Sequence, residues 1–127
     1  MAVTHSTAAR NAATDAVTAL IGASGRLRFR GAGTVSAPGT SFANLALSAT
    51  AFGASSNGTA TANAITSDTN TSAGTVSTAT LETSGGTVVI HCAVAASASD
   101  INMTNGLTLA SGDTVSCSSL TYTALSA

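Results

Sequence analysis

The stretch Arg26-Leu27-Arg28-Phe29-Arg30 alternates between charged and apolar side chains at every position. Successive side chains of a β-strand point to opposite faces of its sheet. The alternation therefore predicts a strand with Leu27 and Phe29 on one face and the three arginines on the other. From this point onward, we expect the chain to form a sheet.

Further short segments with strand character follow, and turn residues separate them. The sequence predicts strands over 41–47, 59–65, 74–82, 87–94, 106–110 and 114–123. Residues 31–40 contain the only proline and are predicted to form a loop, whereas 87–94 is the most apolar segment and is expected to be the central strand. Short strands separated by about 8–12 residues are typical of an antiparallel β-sandwich. The predicted fold class is therefore mainly β, an antiparallel, jelly-roll-like sandwich with one short N-terminal α-helix.

The single α-helix is predicted near the start of the chain. Ser6 or Thr7 can cap its N-terminus, because a side-chain oxygen at this position accepts a hydrogen bond from the first turn. Gly22 follows as a stop signal, since glycine readily adopts the left-handed conformation that ends many helices.

The apolar side of this helix is narrow and rich in alanine. Its members recur at helical spacing: Ala9, Ala13, Ala16, Val17, Leu20 and Ile21. Asn11, Asp15 and Thr18 fall on the opposite, polar side. So narrow a stripe has to lie close against its neighbour, which we expect to be either the chain's own sheet or another subunit. The candidate interface residues on the helix are Ala9, Ala13, Val17 and Leu20.

The length of 127 residues is typical of one domain. We expect a single β-sandwich domain over 1–127, in which 1–22 form an N-terminal arm and helix and 25–124 form the β body. Hydrophobic residues make up 44% of the chain, but 27 of them are alanines, which add little to a core. A subunit with so thin a core is expected to gain part of its stability from neighbouring subunits.

Charge is scarce in this sequence. Only 7% of the residues are charged, there is no lysine, and the formal net charge is −1, whereas an average soluble domain has about 25% charged residues. A surface with few charges does little to prevent association. Disordered chains combine low hydrophobicity with high net charge, and this chain has neither property. A folded, association-prone protein is the better interpretation.

The sequence also bears on the compartment. Its first residues lack the basic start and apolar run of an export signal, and no window offers the roughly 20 apolar residues of a membrane span. We expect synthesis in the cytoplasm and no membrane partner. Cys92 and Cys117 are accordingly expected to be free thiols, with a disulfide formed after cell lysis as the alternative.

Groups that could perform catalysis are few. The chain has two histidines and five acidic residues, and His91-Cys92 is the one juxtaposition of a base with a nucleophile. Neighbouring residues of a strand point to opposite faces, so these two side chains cannot form a working pair. The sequence therefore predicts no enzyme, no catalytic residue, no cofactor, no metal site and no small-molecule substrate.

The remaining candidate site is the arginine cluster of Arg26, Arg28 and Arg30. Three interpretations are open: a stripe that binds nucleic acid, a patch that docks onto acidic groups of a partner, or a solvated strand face. The absence of lysine and the net negative charge disfavour nucleic acid. The three arginines are candidate interface residues together with those of the helix.

Three segments are similar to a known class of protein. They are Met-Ala-Val-Thr-His-Ser-Thr-Ala-Ala-Arg-Asn over 1–11, Phe-Gly-Ala-Ser with Gly-Thr-Ala-Thr-Ala-Asn-Ala-Ile over 52–65, and Ser-Gly-Asp with Ser-Leu-Thr-Tyr-Thr over 111–123. With them, nearly the whole chain resembles small virion proteins of tailed bacteriophages. The resemblance implies a structural protein with a jelly-roll-like fold and no catalytic or ligand residues.

Within that class, the resemblance favours a capsid decoration (cement) protein on the surface of the phage head. Its expected partners are the major capsid protein and copies of itself, as a dimer or a trimer. A tail, baseplate or fibre-adaptor subunit is the main alternative. A carbohydrate- or host-surface-binding β-sandwich is an alternative from another class, although sugar sites favour tryptophan and tyrosine, and this chain has only Tyr122.

Overall fold

The computed structural model describes residues 3–125 of the chain. It contains one helix, α1 (Thr7–Ala19), and nine strands: β1 (Arg26–Arg30), β2 (Ser41–Ala46), β3 (Thr59–Thr61), β4 (Gly74–Thr75), β5 (Thr78–Glu82), β6 (Val88–Ala95), β7 (Ile101–Asn102), β8 (Thr108–Leu109) and β9 (Thr121–Thr123). The prediction of a mainly β chain with an N-terminal helix is confirmed.

Five of the strands form one curled sheet, a half-barrel, in the order β2-β1-β5-β6-β7. Two short antiparallel ladders, β3–β9 and β4–β8, complete the β structure of the described residues. The sheet is mixed, because β7 runs parallel to β6. The prediction of a purely antiparallel arrangement is therefore wrong at this edge.

The parallel pair depends on an unusually short connection. Residues 96–100 alone link β6 to β7, although parallel neighbours usually need a crossover of about a dozen residues or more. Ala98 adopts a positive φ of 55°, which helps the chain to reverse. The Asp100 carboxylate then accepts a hydrogen bond from the Ala93 N–H at 2.9 Å and fixes the loop against β6.

The central strand of the sheet is β5, and the prediction that the apolar segment 87–94 is central is wrong. Ala79 and Leu81 of β5 belong to the hydrophobic core, whereas Thr80 and Glu82 are buried on the opposite face. Both faces of β5 are therefore covered. The residues of β6 are mostly half-buried despite their apolar character.

One hydrophobic core lies on the apolar face of the sheet. Leu27 and Phe29 are buried there as predicted, together with Leu45 of β2. The short ladders contribute Ala60 and Leu109 to the same core. The five-stranded sheet and the ladders therefore bury their apolar side chains against one another.

Several predicted strands are shorter than expected because the chain moves between sheets. The segment 74–82 divides into β4 and β5 at Val76 and Ser77. Val76 donates its N–H to Leu107 C=O, and Ser77 donates to Arg30 C=O, so the two residues bond to different layers. Similarly, only 121–123 of the predicted strand 114–123 form a ladder.

Helix α1 begins and ends as the sequence predicts. Ser6 is the N-cap, and its Oγ accepts a hydrogen bond from the Ala9 N–H at 3.1 Å. Gly22 has a φ of 70°, which a residue with a side chain rarely adopts, and the chain turns there toward β1.

The helix docks onto the β body through its polar side, contrary to the usual placement of an apolar stripe. The Thr14 hydroxyl donates to Gly58 C=O at 2.6 Å and accepts from the Ala124 N–H at 3.1 Å. The Asn11 side-chain oxygen accepts from the Gly58 N–H at 2.7 Å, and Asp15 accepts from the Ser55 N–H at 2.9 Å.

The turn beneath the helix explains this orientation. Asn57 and Gly58 both have positive φ angles, 51° and 82°, so the turn presents backbone groups that no ladder satisfies. Buried backbone groups need hydrogen-bond partners, and the polar side of the helix supplies them. Arg10 adds two more bonds, to Asn57 C=O at 2.7 Å and to Leu125 C=O at 3.2 Å.

Replacing Thr14 with valine keeps the shape of the side chain but leaves Gly58 C=O and the Ala124 N–H without this partner. We expect the free energy of unfolding to fall by about 1–3 kcal/mol, as measured by urea denaturation. Thr18→Val is the matched control, because Thr18 is also buried but its hydroxyl bonds only to carbonyls of its own helix. Equal losses in the two variants would contradict the polar docking of the helix.

Candidate interface surfaces

Apart from Thr7 and Asp15, the exposed residues of α1 and its C-cap are apolar and form one surface. We call it the helix outer face, and its residues, all exposed, are Ala8, Ala9, Ala12, Ala16, Ala19 and Leu20. Leu20 has 66% of its surface exposed. Of the predicted interface residues on the helix, Ala9 and Leu20 belong to this face, and Ala13 and Val17 lie half-buried beside it.

The helix outer face contains no charge. Both charged residues of the helix, Arg10 and Asp15, bind backbone groups of the β body instead. Single exposed apolar residues are common on protein surfaces. Here, however, six exposed apolar residues recur along the length of the helix and its C-cap, and five of the six are small enough for close approach by a neighbour.

The arginine cluster lies on the opposite face of the sheet from the core, as predicted. Its neighbour there is Glu82 of β5, whose carboxylate is fully buried with 0% exposure. The Arg30 guanidinium contacts Glu82 Oε2 at 2.7 Å, and Arg28 Nε lies 3.5 Å from Glu82 Oε1. Two of the three arginines therefore neutralise an internal carboxylate.

Arg30 makes further bonds that hold it in place. Its Nε donates to the Thr80 hydroxyl at 3.1 Å, and that hydroxyl donates in turn to Glu82. Its Nη1 donates to Gly39 C=O at 2.7 Å, which ties the loop 31–40 to the sheet. The interpretation of the cluster as a solvated strand face is wrong for Arg30, whose side chain is only 12% exposed.

The face of the sheet that carries Arg26, Arg28 and Arg30, which we call the arginine face, has buried polar atoms without hydrogen-bond partners. Among the described residues, Arg28 Nε, Glu82 Oε1 and His91 Nε2 are buried without a hydrogen-bond partner. Arg28 and His91 lie on either side of Thr80 in the strand register. Arg26 has no ion pair within residues 3–125 and is the arginine that remains available to an acidic partner.

Sequence reasoning missed Glu82 as the partner of the arginines. A signal was present, because Thr78, Thr80 and Glu82 alternate with apolar residues. Placing them beside the arginines requires the knowledge that β5 pairs with β1. These strands are separated by more than 45 residues along the chain, and their register was not available from local patterns.

Removal of Arg30 is expected to destabilise the protein strongly. Arg30→Gln leaves the buried Glu82 carboxylate with Arg28 alone, and we expect a loss of about 3 kcal/mol in the free energy of unfolding. Arg26→Gln is the control on the same strand and face, with an expected change within about 0.5 kcal/mol. If urea denaturation gives similar values for both variants, the Arg30–Glu82 pair does not hold the sheet.

His91 and Cys92 lie on opposite faces of β6. His91 is opposite Thr80 on the arginine face, whereas Cys92 is opposite Ala79 and packs against the core. The Cys92 thiol is 3.6 Å from Ala79 C=O. The two side chains are therefore not brought together as a base and a nucleophile.

Both cysteines are free thiols in the structure. Burial, together with the smaller effect of the nearby Asp100 carboxylate, raises the pKa of Cys92 to about 11. Burial also raises the pKa of Cys117, although a hydrogen bond with the Ser119 backbone opposes this effect. Because the thiolate is the reactive form, neither cysteine is activated.

The raised pKa of Cys92 predicts a distinct pH dependence of alkylation. In the Cys117→Ser protein, the rate of reaction with iodoacetamide should keep rising above pH 9, because the thiol of Cys92 ionises only near pH 11. In the urea-unfolded chain, the rate should level off above about pH 9, because the thiol there has its ordinary pKa of 9.0. Peptide mass spectrometry measures both profiles, and identical profiles would contradict the burial of the thiol.

A cleft with a volume of about 630 Å³ lies between the segments 100–109 and 113–121. Phe29 is the one aromatic residue in its lining, and it is almost completely buried. Tyr122 lies half-buried in β9, paired with Ala60. The cleft thus offers no exposed aromatic ring on which a sugar could stack.

Within residues 3–125, no helix has the length and apolar character needed to cross a bilayer. In the same part of the chain, no three histidine, cysteine, aspartate or glutamate residues form a group that could hold a metal ion. Comparison of the chain with protein-family models, with curated proteins and with solved structures found no match.

Proposed function

We propose that this chain is a structural virion protein of a tailed bacteriophage, a capsid decoration subunit that binds the outside of the head and stabilises it. The observation that carries the proposal is the orientation of α1. The helix uses its polar side to dock onto its own β body and leaves the uncharged helix outer face to a neighbour. The resemblance of the sequence to small virion proteins supports the same role.

The helix outer face suits contact with a shell subunit. Alanine side chains allow the backbone of a partner to approach closely, and Leu20 provides one larger apolar side chain to fill a pocket. Burial of Leu20 would contribute about 1.5–3 kcal/mol. The small number of charged side chains elsewhere on the chain lowers the cost of removing its surface from water.

The sequence predicts all three arginines as candidate interface residues, but the three differ in what they contact. Arg28 and Arg30 serve the stability of the subunit, since they hold Glu82. Arg26 alone supports the part of the proposal in which an arginine docks onto an acidic group of the major capsid protein. No part of the proposal involves nucleic acid.

A jelly-roll-like sandwich is part of the same proposal. The single core shared by the five-stranded sheet and the two short ladders supports a two-layered body. The parallel strand β7 departs from the antiparallel pattern of such folds.

Attachment to a shell would also stabilise the subunit. Leu27, Phe29, Leu45 and Leu81 supply most of the large buried side chains in the sheet, and four of the fifteen buried hydrophobic residues are alanines. Binding that involves only the folded state adds to stability by mass action. A thin core is therefore sufficient in a protein that functions within an assembly.

The test is the copy number of this chain in purified particles, measured by quantitative mass spectrometry. We expect about one copy per major capsid subunit, as decoration of a symmetric shell requires. A ratio of roughly a few per cent would instead indicate a tail, baseplate or fibre-adaptor subunit, which occurs in few copies per particle, and the decoration proposal would be wrong.

The same particles test the helix outer face. Leu20→Asp places a carboxylate at the C-terminal end of this face, and burying an unpaired charge is costly, so occupancy should fall by about tenfold or more. Ser111→Asp, at an exposed turn, is the control and should retain wild-type occupancy. Full occupancy by the Leu20→Asp protein would show that the shell is bound by another surface. Deletion of residues 1–22 is less informative, because it also removes Ile21 from the core.

A further inference from the structure

The strand β6 has one edge that is largely unpaired. On one side, β6 pairs with β5 from Val88 to Ala93. On the other side, β7 pairs only with Val94 and Ala95. Between Val88 and Ala93, no strand of the described chain covers this second side, which we call the open edge.

Hydrogen bonds at the end of β6 show which backbone groups of this strand point toward the open edge. The Ala93 N–H donates to the Asp100 carboxylate, and Ala95 C=O accepts from the Met103 N–H, both on the β7 side. Val94, between them, donates to Ser77 C=O on the β5 side. Alternation along the strand therefore directs the His91 N–H and C=O to the open edge, where nothing in the described chain pairs with them.

The open edge lacks the usual protection against pairing. Natural edge strands are commonly blocked by lysine, by proline or by a covering loop. The strand β6 reads Val-Val-Ile-His-Cys-Ala-Val-Ala and contains neither a charged residue nor proline. A register shift opposite Leu81 and Glu82 is its one irregularity and lies at the start of the strand. At the other end of the open edge, the Ala93 N–H is already bonded to Asp100. The regular and free part therefore runs from Ile90 to Cys92, and its residues are half-buried.

We infer that the open edge pairs with the open edge of a second copy of this chain, antiparallel about a two-fold axis near Ile90 and His91. In an antiparallel ladder, two opposite residues exchange both N–H···O bonds. A two-fold axis therefore matches the donors and acceptors of the edge with their own copies. The two five-stranded sheets become one continuous sheet.

The surroundings of the open edge also favour a second copy. The turn after β5 limits it at one end and β7 limits it at the other, so the free length is short and the same in both partners. No charge on β6 repels its symmetry mate. In addition, α1 packs on β3 and β9, so the pairing leaves the helix outer face available to another partner.

This pairing specifies a surface for the association between copies of the chain that the resemblance implies, but it requires no capsid. It is therefore tested on the isolated protein by sedimentation across a dilution series. His91→Pro removes the N–H that points to the open edge and leaves the bonds to β5 intact, because proline is tolerated on the free side of an edge strand. His91→Ala is the control, since it keeps the N–H.

We expect wild-type and His91→Ala proteins to form dimers, and His91→Pro to raise the dimer dissociation constant by about tenfold or more. Circular dichroism should show the same β content in all three proteins. A wild-type protein that stays monomeric, or a His91→Pro protein that dimerises like the alanine variant, would overturn the inference.

Hydrogen exchange provides a second measurement that needs no variant. The His91 amide of the wild-type protein should exchange slowly in the concentrated dimer and rapidly after dilution to monomer. Rapid exchange of this amide in a proven dimer would show that the copies associate elsewhere and would overturn the inference. The dimer measurements and the copy number in particles are independent tests. Either the dimer inference or the decoration proposal can be overturned without affecting the other.

Discussion

The carboxylate of Glu82 is buried on the arginine face of the sheet, and its contact with Arg30 at 2.7 Å imposes much of the surrounding structure. A buried carboxylate requires a cationic partner. The pairing of β5 with β1 places Glu82 opposite Arg26 in the register, and the side chains of Arg28 and Arg30, further along the same face of β1, reach its carboxylate. The Arg30 guanidinium also binds Gly39 C=O and draws the loop 31–40 over the sheet. One face of β5 is covered by these groups and the other by the core. Accordingly β5 is the central strand of the sheet, and the more apolar β6 lies nearer the edge.

A second constraint determines the position of the helix. Hydrophobic patterning predicts that an amphipathic helix turns its apolar stripe inward, but α1 turns its polar side to the turn at Asn57 and Gly58. Unpaired backbone groups in that turn need partners. The buried Thr14 serves one of them, Gly58 C=O, and also accepts from the Ala124 N–H after β9. The energetic reason is that leaving such groups unsatisfied costs more than exposing several alanines, whose burial contributes little.

The subunit has two uncharged surfaces of different kinds, the helix outer face and the open edge of β6. The helix outer face offers small side chains for close packing, whereas the open edge of β6 offers directional backbone hydrogen bonds. They lie on different elements, so a dimer formed through one can present two copies of the other to a larger structure. A subunit with few charges and a thin core is suited to this arrangement, because association contributes the stability that its interior does not provide.

The sequence by itself determined the local features: the helix with its Ser6 cap and Gly22 stop, the strand β1 with its two faces, the loop 31–40 and the placement of His91 and Cys92 on opposite faces. Each depends on short-range periodicity or on the conformational preference of one residue. Only the tertiary structure decided the strand order, the parallel β7, the partner of the arginines and the inward side of the helix. The partner of the arginines and the inward side of the helix depend on contacts between residues more than 40 positions apart, such as Arg30 with Glu82 and Thr14 with Gly58. Local patterns carry no information about which distant group will satisfy a buried charge or an unpaired backbone carbonyl.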